Sequence, residues 1–281
     1  DDNVCNLAVE GTFDDCQNIV KDLFNDLQFR DACRLGAVNS INWARVLAQI
    51  VYYFYAAFRV QDTTGAAQVR FSVPTGNFGD IFAGYMARCM GLPIDRLVLA
   101  TNENDILWRY FNTGVYSMGE VVPTLSPSMD IQVASNFERY LYDLAGRDPA
   151  RLSHWMATFK ETGTLTPDVA PDACFSSGRG DTEMTLKVIK AYWEACGYLL
   201  DPHTAVGVGV GLRYLQEEIP LICLATAHPA KFGQAIIQAT GLDLARHPLI
   251  DALADMPTRV RVVPASKEAV AEIVRATIAE G

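Results

Sequence analysis

The sequence predicts an α/β protein with a mostly parallel sheet and helices on both of its faces. Three observations carry that expectation. Short runs rich in apolar residues, such as Val69–Val73 and Leu97–Ala100, read as strands of a sheet covered on both faces. Helical patterns fall between such runs, so β and α segments alternate along the chain. The helix ends also carry the right chemistry: Asp201 and Pro202 mark one start, and Gly91 and Pro93 mark one end.

Val4–Val9 reads as the first strand. It turns at Glu10-Gly11, and Thr12-Phe13-Asp14-Asp15 resembles a capping arrangement for a helix running to about Leu27. Residues 36–42 read as a polar hinge. Trp43–Phe58 reads as a long buried helix; its most apolar stretch is too short to span a bilayer and contains Gln49. Val69–Val73 is a second strand, followed by a glycine-containing loop and a helix to about Met90. Leu97–Ala100 is a third strand. Gly, Pro and Ser crowd residues 112–135, a loop expected to touch ligand or another domain. Helical pattern returns over Asn136–Leu144 and near Leu152–Lys160. Asp181–Cys196 is an amphipathic helix stopped by Gly197. Pro220–Ala225 is a fourth strand, with Pro229 suited to the first turn of the helix behind it, and Arg259–Val263 and Lys267–Ile278 form a last strand and helix.

Half of the 281 residues are hydrophobic and 20% are charged, enough apolar content for a sizeable core and too much for disorder. The formal charge is −10, and the basic residues are scattered. That argues against nucleic acid and anionic membrane as partners and toward a small molecule. An anionic ligand would then need a local positive site. Seven cysteines without a C-x-x-C pair read as free thiols of a reducing compartment, the cytoplasm. His154, His203, His228 and His247 have no metal-ligand spacing, so no metal is expected. His203 and His228 lie near helix starts and read as scaffold hydrogen-bonding residues. Asp1 and Asp2 stand where a Met-led start is usual, so the chain reads as cut.

The sharpest motif is Ser72-Val-Pro-Thr-Gly-Asn-Phe-Gly-Asp80, between a strand and a helix. Ligands of open α/β sheets sit beyond the carboxyl ends of the strands. Gly76 and Gly79 let the backbone approach a bound group, and a helix start supplies free N–H groups and partial positive charge. Phosphate binding is the functional reading, and a tight glycine turn is the bland one. The motif is neither a nucleotide P-loop nor G-x-G-x-x-G.

Seven blocks widen the context: Val9-Glu-Gly-Thr-Phe-Asp-Asp-Cys-Gln17, Val38-Asn-Ser-Ile-Asn-Trp-Ala-Arg45, Pro74-Thr-Gly-Asn-Phe-Gly-Asp80, Asn102-Glu-Asn-Asp-Ile106, Ser135-Asn-Phe-Glu-Arg139, Asp201-Pro-His-Thr-Ala-Val206 and Ala225-Thr-Ala-His-Pro-Ala-Lys-Phe232. Together, and in this order, they resemble threonine synthases of the fungal and enterobacterial type. The resemblance implies a pyridoxal-phosphate enzyme of fold type II, tryptophan-synthase-β-like, truncated at its N-terminus. It implies conversion of O-phosphohomoserine and water to threonine and phosphate. Residues 1–38 would be the tail of a smaller domain, and 39–281 the large cofactor-binding domain.

Carried over by motif, Gly76, Asn77, Phe78, Gly79 and Asp80 would hold the cofactor phosphate, and Thr226 would hydrogen-bond the pyridine nitrogen. Asn39, Ser40, Asn42 and Arg45 are candidates for the substrate's phosphate or carboxylate, with helix capping and an ion pair as the alternatives. Glu103 is a candidate for the cofactor or the substrate amine, with a solvated loop carboxylate as its alternative. The family's Schiff-base lysine is expected upstream of this chain. Phe159-Lys160-Glu161 has the wrong neighbours, Lys231 belongs to another block, and Lys21, Lys187, Lys190 and Lys267 read as surface charges. No catalytic residue is therefore assigned here, and the chain alone is expected to be inactive. The other readings are a non-catalytic phosphate- or cofactor-binding fragment and a different type II lyase such as a serine/threonine dehydratase.

Overall fold

The computed structural model describes residues 4–11, 13–253 and 255–280. In chain order the elements begin with β1 (Asn6–Glu10), α1 (Phe13–Asn25), α2 (Leu27–Ala32), α3 (Trp43–Thr64), β2 (Val69–Pro74), α4 (Gly79–Cys89), β3 (Ile94–Thr101) and α5 (Ile106–Thr113). Then come β4 (Tyr116–Ser117), α6 (Phe137–Leu144), α7 (Pro149–Thr162), β5 (Thr164–Leu165), β6 (Phe175–Arg179), α8 (Thr182–Cys196) and α9 (Pro202–Gly211). The last are β7 (Leu221–Cys223), α10 (Gly233–Thr240), α11 (Pro248–Asp251), β8 (Val260–Pro264) and α12 (Lys267–Glu280). The chain divides into two compact units, one of residues 38–250 and one of residues 1–37 with 251–281.

The larger unit is built on a four-stranded sheet in the order β6-β3-β2-β7, with every neighbouring pair parallel. All six residues of β2 are buried, Arg70 and Ser72 among them, as a strand covered on both faces requires. Alternate residues of β3 serve opposite faces. Leu97 and Leu99 join Val46, Ile50, Tyr53 and Ile81 of α3 and α4, while Val98 and Ala100 meet Val206 and Val210 of α9. Burial of each such side chain contributes about 1.5–3 kcal/mol, so these two layers fix the sheet and its carboxyl edge.

All ten residues of α9 are buried. Gly207 and Gly211, one turn apart, let this helix lie close on β2. A Cβ on Gly207 would fall 2.8 Å from Pro74 Cγ, and one on Gly211 would fall 2.9 Å from Ser72 Cβ. The close approach satisfies the one hydroxyl within β2, since Ser72 Oγ donates to the Gly207 carbonyl at 2.5 Å.

Several expectations change in this unit. The helix from Trp43 continues to Thr64, where Gly65 caps it in the left-handed region, and it is buried along one stripe only: Val46, Ile50, Tyr53 and Ala57. Leu47, Val51, Tyr55 and Phe58 are exposed, because apolar content alone does not say which side of a helix has a neighbour. Strand β6 was not expected. It reads Phe-Ser-Ser-Gly-Arg, and its place comes from parallel pairing with β3, a long-range partner that local composition does not report. Helix α5 was not expected either, although Ile106, Leu107 and Tyr110 bury one of its faces.

The smaller unit pairs β1 with β8 in parallel, Asn6 opposite Val260 and Glu10 opposite Pro264. Segment 251–281, placed in the large domain by the sequence reading, therefore groups with residues 1–37, and the first strand has a neighbour. Ile19, Leu23, Phe29 and Ala271 form its apolar cluster. The helix expected to reach Leu27 stops earlier because the Asp26 carboxylate accepts the Phe29 N–H at 3.0 Å and caps α2. The cap assigned to Thr12 and the start at Asp1 and Asp2 lie outside the described residues. Among the described residues, no helix is long and apolar enough to cross a membrane.

Candidate anion-binding site

Strand β2 delivers its carboxyl end into the turn Thr75-Gly76-Asn77-Phe78. Thr75 locks that turn to the sheet, donating its N–H to the Ala100 carbonyl at 2.8 Å and its hydroxyl to Val73 at 2.7 Å. Phe78 adopts φ of +64°, a left-handed conformation that costs a non-glycine residue about 1–2 kcal/mol. Its ring offsets this by packing among Phe82, Phe111, Phe137, Tyr140 and Phe175, where it is 1% exposed. The Phe78 side chain thus anchors the turn in the core, and only its backbone faces the site. Among the described residues, none of the N–H groups of Gly76, Asn77, Phe78, Gly79 and Asp80 is taken up by a hydrogen bond within the protein. These are the free donors of a helix start, with the positive end of the α4 dipole behind them.

The turn lines a cavity of about 170 Å³ together with Ser40, Arg45, Gln49 and Ser128. Ligand pockets usually measure roughly 300–1,000 Å³, so this space suits a tetrahedral anion rather than a whole cofactor. Its walls leave no room for a side chain on Gly76 and little on Gly79. A Cβ on Gly76 would lie 2.5 Å from the Ser128 carbonyl oxygen, and one on Gly79 would lie 3.2 Å from Asn136 Nδ2. Gly76 and Gly79, the two glycines singled out in the sequence, both line this cavity.

Arg45 is the cation lining the cavity. Its Nη1 donates to the Val38 carbonyl at 3.1 Å, and among the described residues it pairs with no carboxylate. Asp80 is the acid beside it. Burial raises its carboxyl above the usual carboxylate range, against the opposing pull of the Tyr52 and Tyr53 hydroxyls, which donate to Oδ1 at 2.6 and 3.0 Å. An Asp80 shifted toward its neutral form and screened by two donors repels an anion less than a free carboxylate does.

The other predicted residues go elsewhere. Asn39 Oδ1 accepts the Ile41 N–H at 3.1 Å and shapes a turn, and Asn42 Oδ1 accepts the Ala44 N–H at 2.9 Å and caps α3. Neither lines the cavity. Glu103 accepts the N–H and hydroxyl of Thr182 at 2.7 and 2.8 Å, tying the end of β3 to the start of α8. It is half-buried and does not line the cavity. Thr226 lies exposed past β7, on the same carboxyl edge of the sheet. Its N–H donates to Thr204 Oγ1 at 3.3 Å, and its hydroxyl has no hydrogen-bond partner among the described residues. His203 and His228 are scaffold acceptors, from Ser128 N–H and Ala230 N–H at 3.2 Å each. No lysine lines the cavity.

Several residues of the site were not singled out in the sequence. Asn136, fully buried, donates from Nδ2 to the Ser40 carbonyl at 2.9 Å and the Asn77 carbonyl at 3.2 Å. One side chain thus joins the hinge to the turn. Arg139 adds a bond to the Ile41 carbonyl at 2.7 Å. The Asn102–Ile106 block has a similar purpose. Buried Asn102 and Asn104 both donate to Asp130 Oδ1, at 2.7 and 3.0 Å, and hold the loop that presents Ser128. The sequence signal was their place in the family-like blocks; their partners, far away in the chain, could not be read from it.

The threonine synthase C-terminal family model matches residues 204–274. Threonine synthase of Schizosaccharomyces pombe is 50% identical over 265 residues, covering 84% of this chain and 52% of the relative. That of Methylobacillus glycogenes is 44% identical over 283 residues, covering 98% of this chain and 59% of the relative. Among solved structures, pyridoxal-phosphate-bound threonine synthase from Brucella melitensis superposes with a TM-score of 0.87 at 45% identity, covering 98% of this chain and 60% of that one. The yeast threonine synthase structure gives 0.87 at 39% identity, with 100% and 61% covered. The chain thus spans between half and two thirds of the length of these relatives.

Proposed function

The chain belongs to the threonine synthase family, and on that premise we propose that it is the phosphate-binding part of an enzyme converting O-phosphohomoserine and water to threonine and phosphate. The observation that carries this reading is the set of unengaged N–H groups from Gly76 to Asp80 at the carboxyl end of a buried parallel strand. The chain's residues fit the phosphate of pyridoxal phosphate: a cradle with no room for a Cβ at Gly76, donors without internal acceptors among the described residues, and a space of about 170 Å³. When bound, pyridoxal phosphate supplies an electron sink for bond-breaking next to the substrate's amino group.

In this reading the Gly76–Asp80 backbone binds the cofactor phosphate, and the Asp80 carboxyl stays with its tyrosines instead of reaching the ligand. Thr226 offers its unengaged hydroxyl to the pyridine nitrogen, a neutral partner that leaves that nitrogen unprotonated. Arg45 and Ser40 meet an anionic group of the substrate, Arg45 through the guanidinium nitrogens not held by Val38. Asn39 and Asn42 shape the segment that carries Ser40, and Glu103 fixes the sheet edge. The lysine that holds the cofactor comes from the part of the relatives' length that this chain does not span.

The test is phosphate release from O-phosphohomoserine by the full-length protein, with pyridoxal phosphate retention measured in the same preparation. Turnover that Gly76→Val abolishes together with cofactor retention supports the reading. A full-length protein that retains no pyridoxal phosphate overturns it.

A further inference from the structure

The cavity wall opposite Gly76 is the Ser128 carbonyl, and a buried pair at the start of α9 holds Ser128 from behind. Asp201 caps that helix. Its Oδ1 accepts the His203 backbone N–H at 2.9 Å and lies 2.9 Å from the ring Nδ1, while its Oδ2 accepts the Thr204 hydroxyl. Asp201 and His203 are 1% and 3% exposed. On the far side of the ring, Nε2 accepts the Ser128 N–H at 3.2 Å. A ring nitrogen that accepts a hydrogen bond carries no proton, so the ring proton sits on Nδ1 and is given to Asp201. The two bonds together define one neutral tautomer.

We propose that His203 is a positioning residue for the anion cavity, its neutral Nδ1–H form holding the Ser128 turn against Gly76. The inference rests on the reading of the Gly76–Asp80 turn as an anion site. A second proton would turn Nε2 into a donor facing the Ser128 N–H, itself a donor, and the bond would be lost. The ring's surroundings leave that change little compensation. Asp201, on its own helix, is the one charged group bonded to it among the described residues. The Phe232 ring packs 4.9 Å away, and Ser128 comes from the Pro127–Met129 turn. Burial pushes the Asp201 carboxyl upward, but the hydrogen bonds from His203 and Thr204 outweigh it and leave it below the usual range, so it favours the ionised form. The turn keeps other anchors, since Asn102 Nδ2 donates to Ser126 Oγ at 3.0 Å. The loss on protonation is therefore partial. One ordinary hydrogen bond corresponds to about a threefold to tenfold change in affinity.

The experiment uses the isotopically labelled 281-residue chain and inorganic sulfate, a dianion throughout the pH range tested. Amide spectra follow Gly76, Gly79 and Ser128, and ring carbon signals follow His203. The expected result is a Ser128 amide that shifts with the same midpoint as the His203 ring, and sulfate affinity that falls about threefold to tenfold on the acid side. His203→Gln, whose Oε1 can still accept from Ser128, should keep the high-pH affinity and lose the pH step. His203→Ala should bind more weakly at every pH, and exposed His154→Gln should match the wild type. A pH step that survives in His203→Gln, or a Ser128 amide that ignores the ring, overturns this inference alone. Sulfate that leaves the Gly76 and Gly79 amides unmoved at every pH overturns the anion-site reading, and the inference with it.

Discussion

The single Tyr53 hydroxyl proton is shared between two oxygens of Asp80, the carboxylate Oδ1 at 3.0 Å and the main-chain carbonyl at 2.9 Å. The bond crosses from α3 to the first turn of α4, and a glycine makes it possible. A Cβ on Gly84 would lie 2.6 Å from Tyr53 Cε1 and 2.9 Å from Leu97 Cδ2. Gly84→Ala should therefore force the ring off Asp80 and destabilise the chain by about 1–3 kcal/mol through overpacking. Urea unfolding checks this. An unchanged midpoint would mean the core absorbs the methyl group.

Asp80 also predicts a pH dependence. Burial holds its carboxyl above the usual carboxylate value. The folded state then binds this proton more tightly than the unfolded chain, whose value is about 3.9. The stability this contributes is complete below about pH 3.9 and is lost as pH rises through the folded value. Asp80→Asn has no such loss. Its unfolding free energy, measured relative to wild type, should rise from pH 4 toward neutrality and then level off. A difference that stays flat with pH would show that Asp80 ionises normally.

Asn136 should matter out of proportion to its size. Asn136→Ala leaves the Asn77 carbonyl without its Nδ2 donor and removes the bond that ties the Ser40 carbonyl to this side chain, at a cost of about 1–3 kcal/mol. Asn136→Asp should be worse, because a carboxylate would face those carbonyls in a fully buried site. Both should weaken pyridoxal phosphate binding to the turn, read by fluorescence titration. Equal stability and affinity for the two variants would show that this side chain only fills space.

The parts of the site legible in the sequence are those written in local chemistry. Gly76 and Gly79 stand at a strand-to-helix junction, Asp201 and Pro202 announce a helix start, and Ser40 and Arg45 sit in one polar block. What was not legible depends on partners distant in the chain. Ser128 becomes a cavity wall because His203 and the Asn102–Asp130 bond hold its loop, and β6 becomes a strand because β3 offers it an edge. Glu103 could have faced either side of its loop, and only packing against α8 shows that it turns to Thr182. The grouping of segment 251–281 with β1 likewise depends on a strand pairing across most of the chain.

The last prediction concerns the lysines. Lys187 pairs with Glu183, Lys190 with Glu194 and Lys267 with Asp26, while Lys21, Lys160 and Lys231 are exposed. None lines the cavity. The 281-residue chain mixed with pyridoxal phosphate should therefore bind it reversibly, through the phosphate, without a specific covalent bond. It should also form no threonine, since a positioned proton-transfer group alone is worth roughly 10²–10⁴ in rate and no lysine is placed to serve as one. Borohydride reduction followed by peptide mapping checks the first part, and phosphate release from O-phosphohomoserine the second. Scattered low-level labelling of exposed lysines is the expected pattern. One lysine trapped stoichiometrically, together with phosphate release, would place the cofactor-holding lysine within residues 1–281 and would require the site to be rebuilt around it.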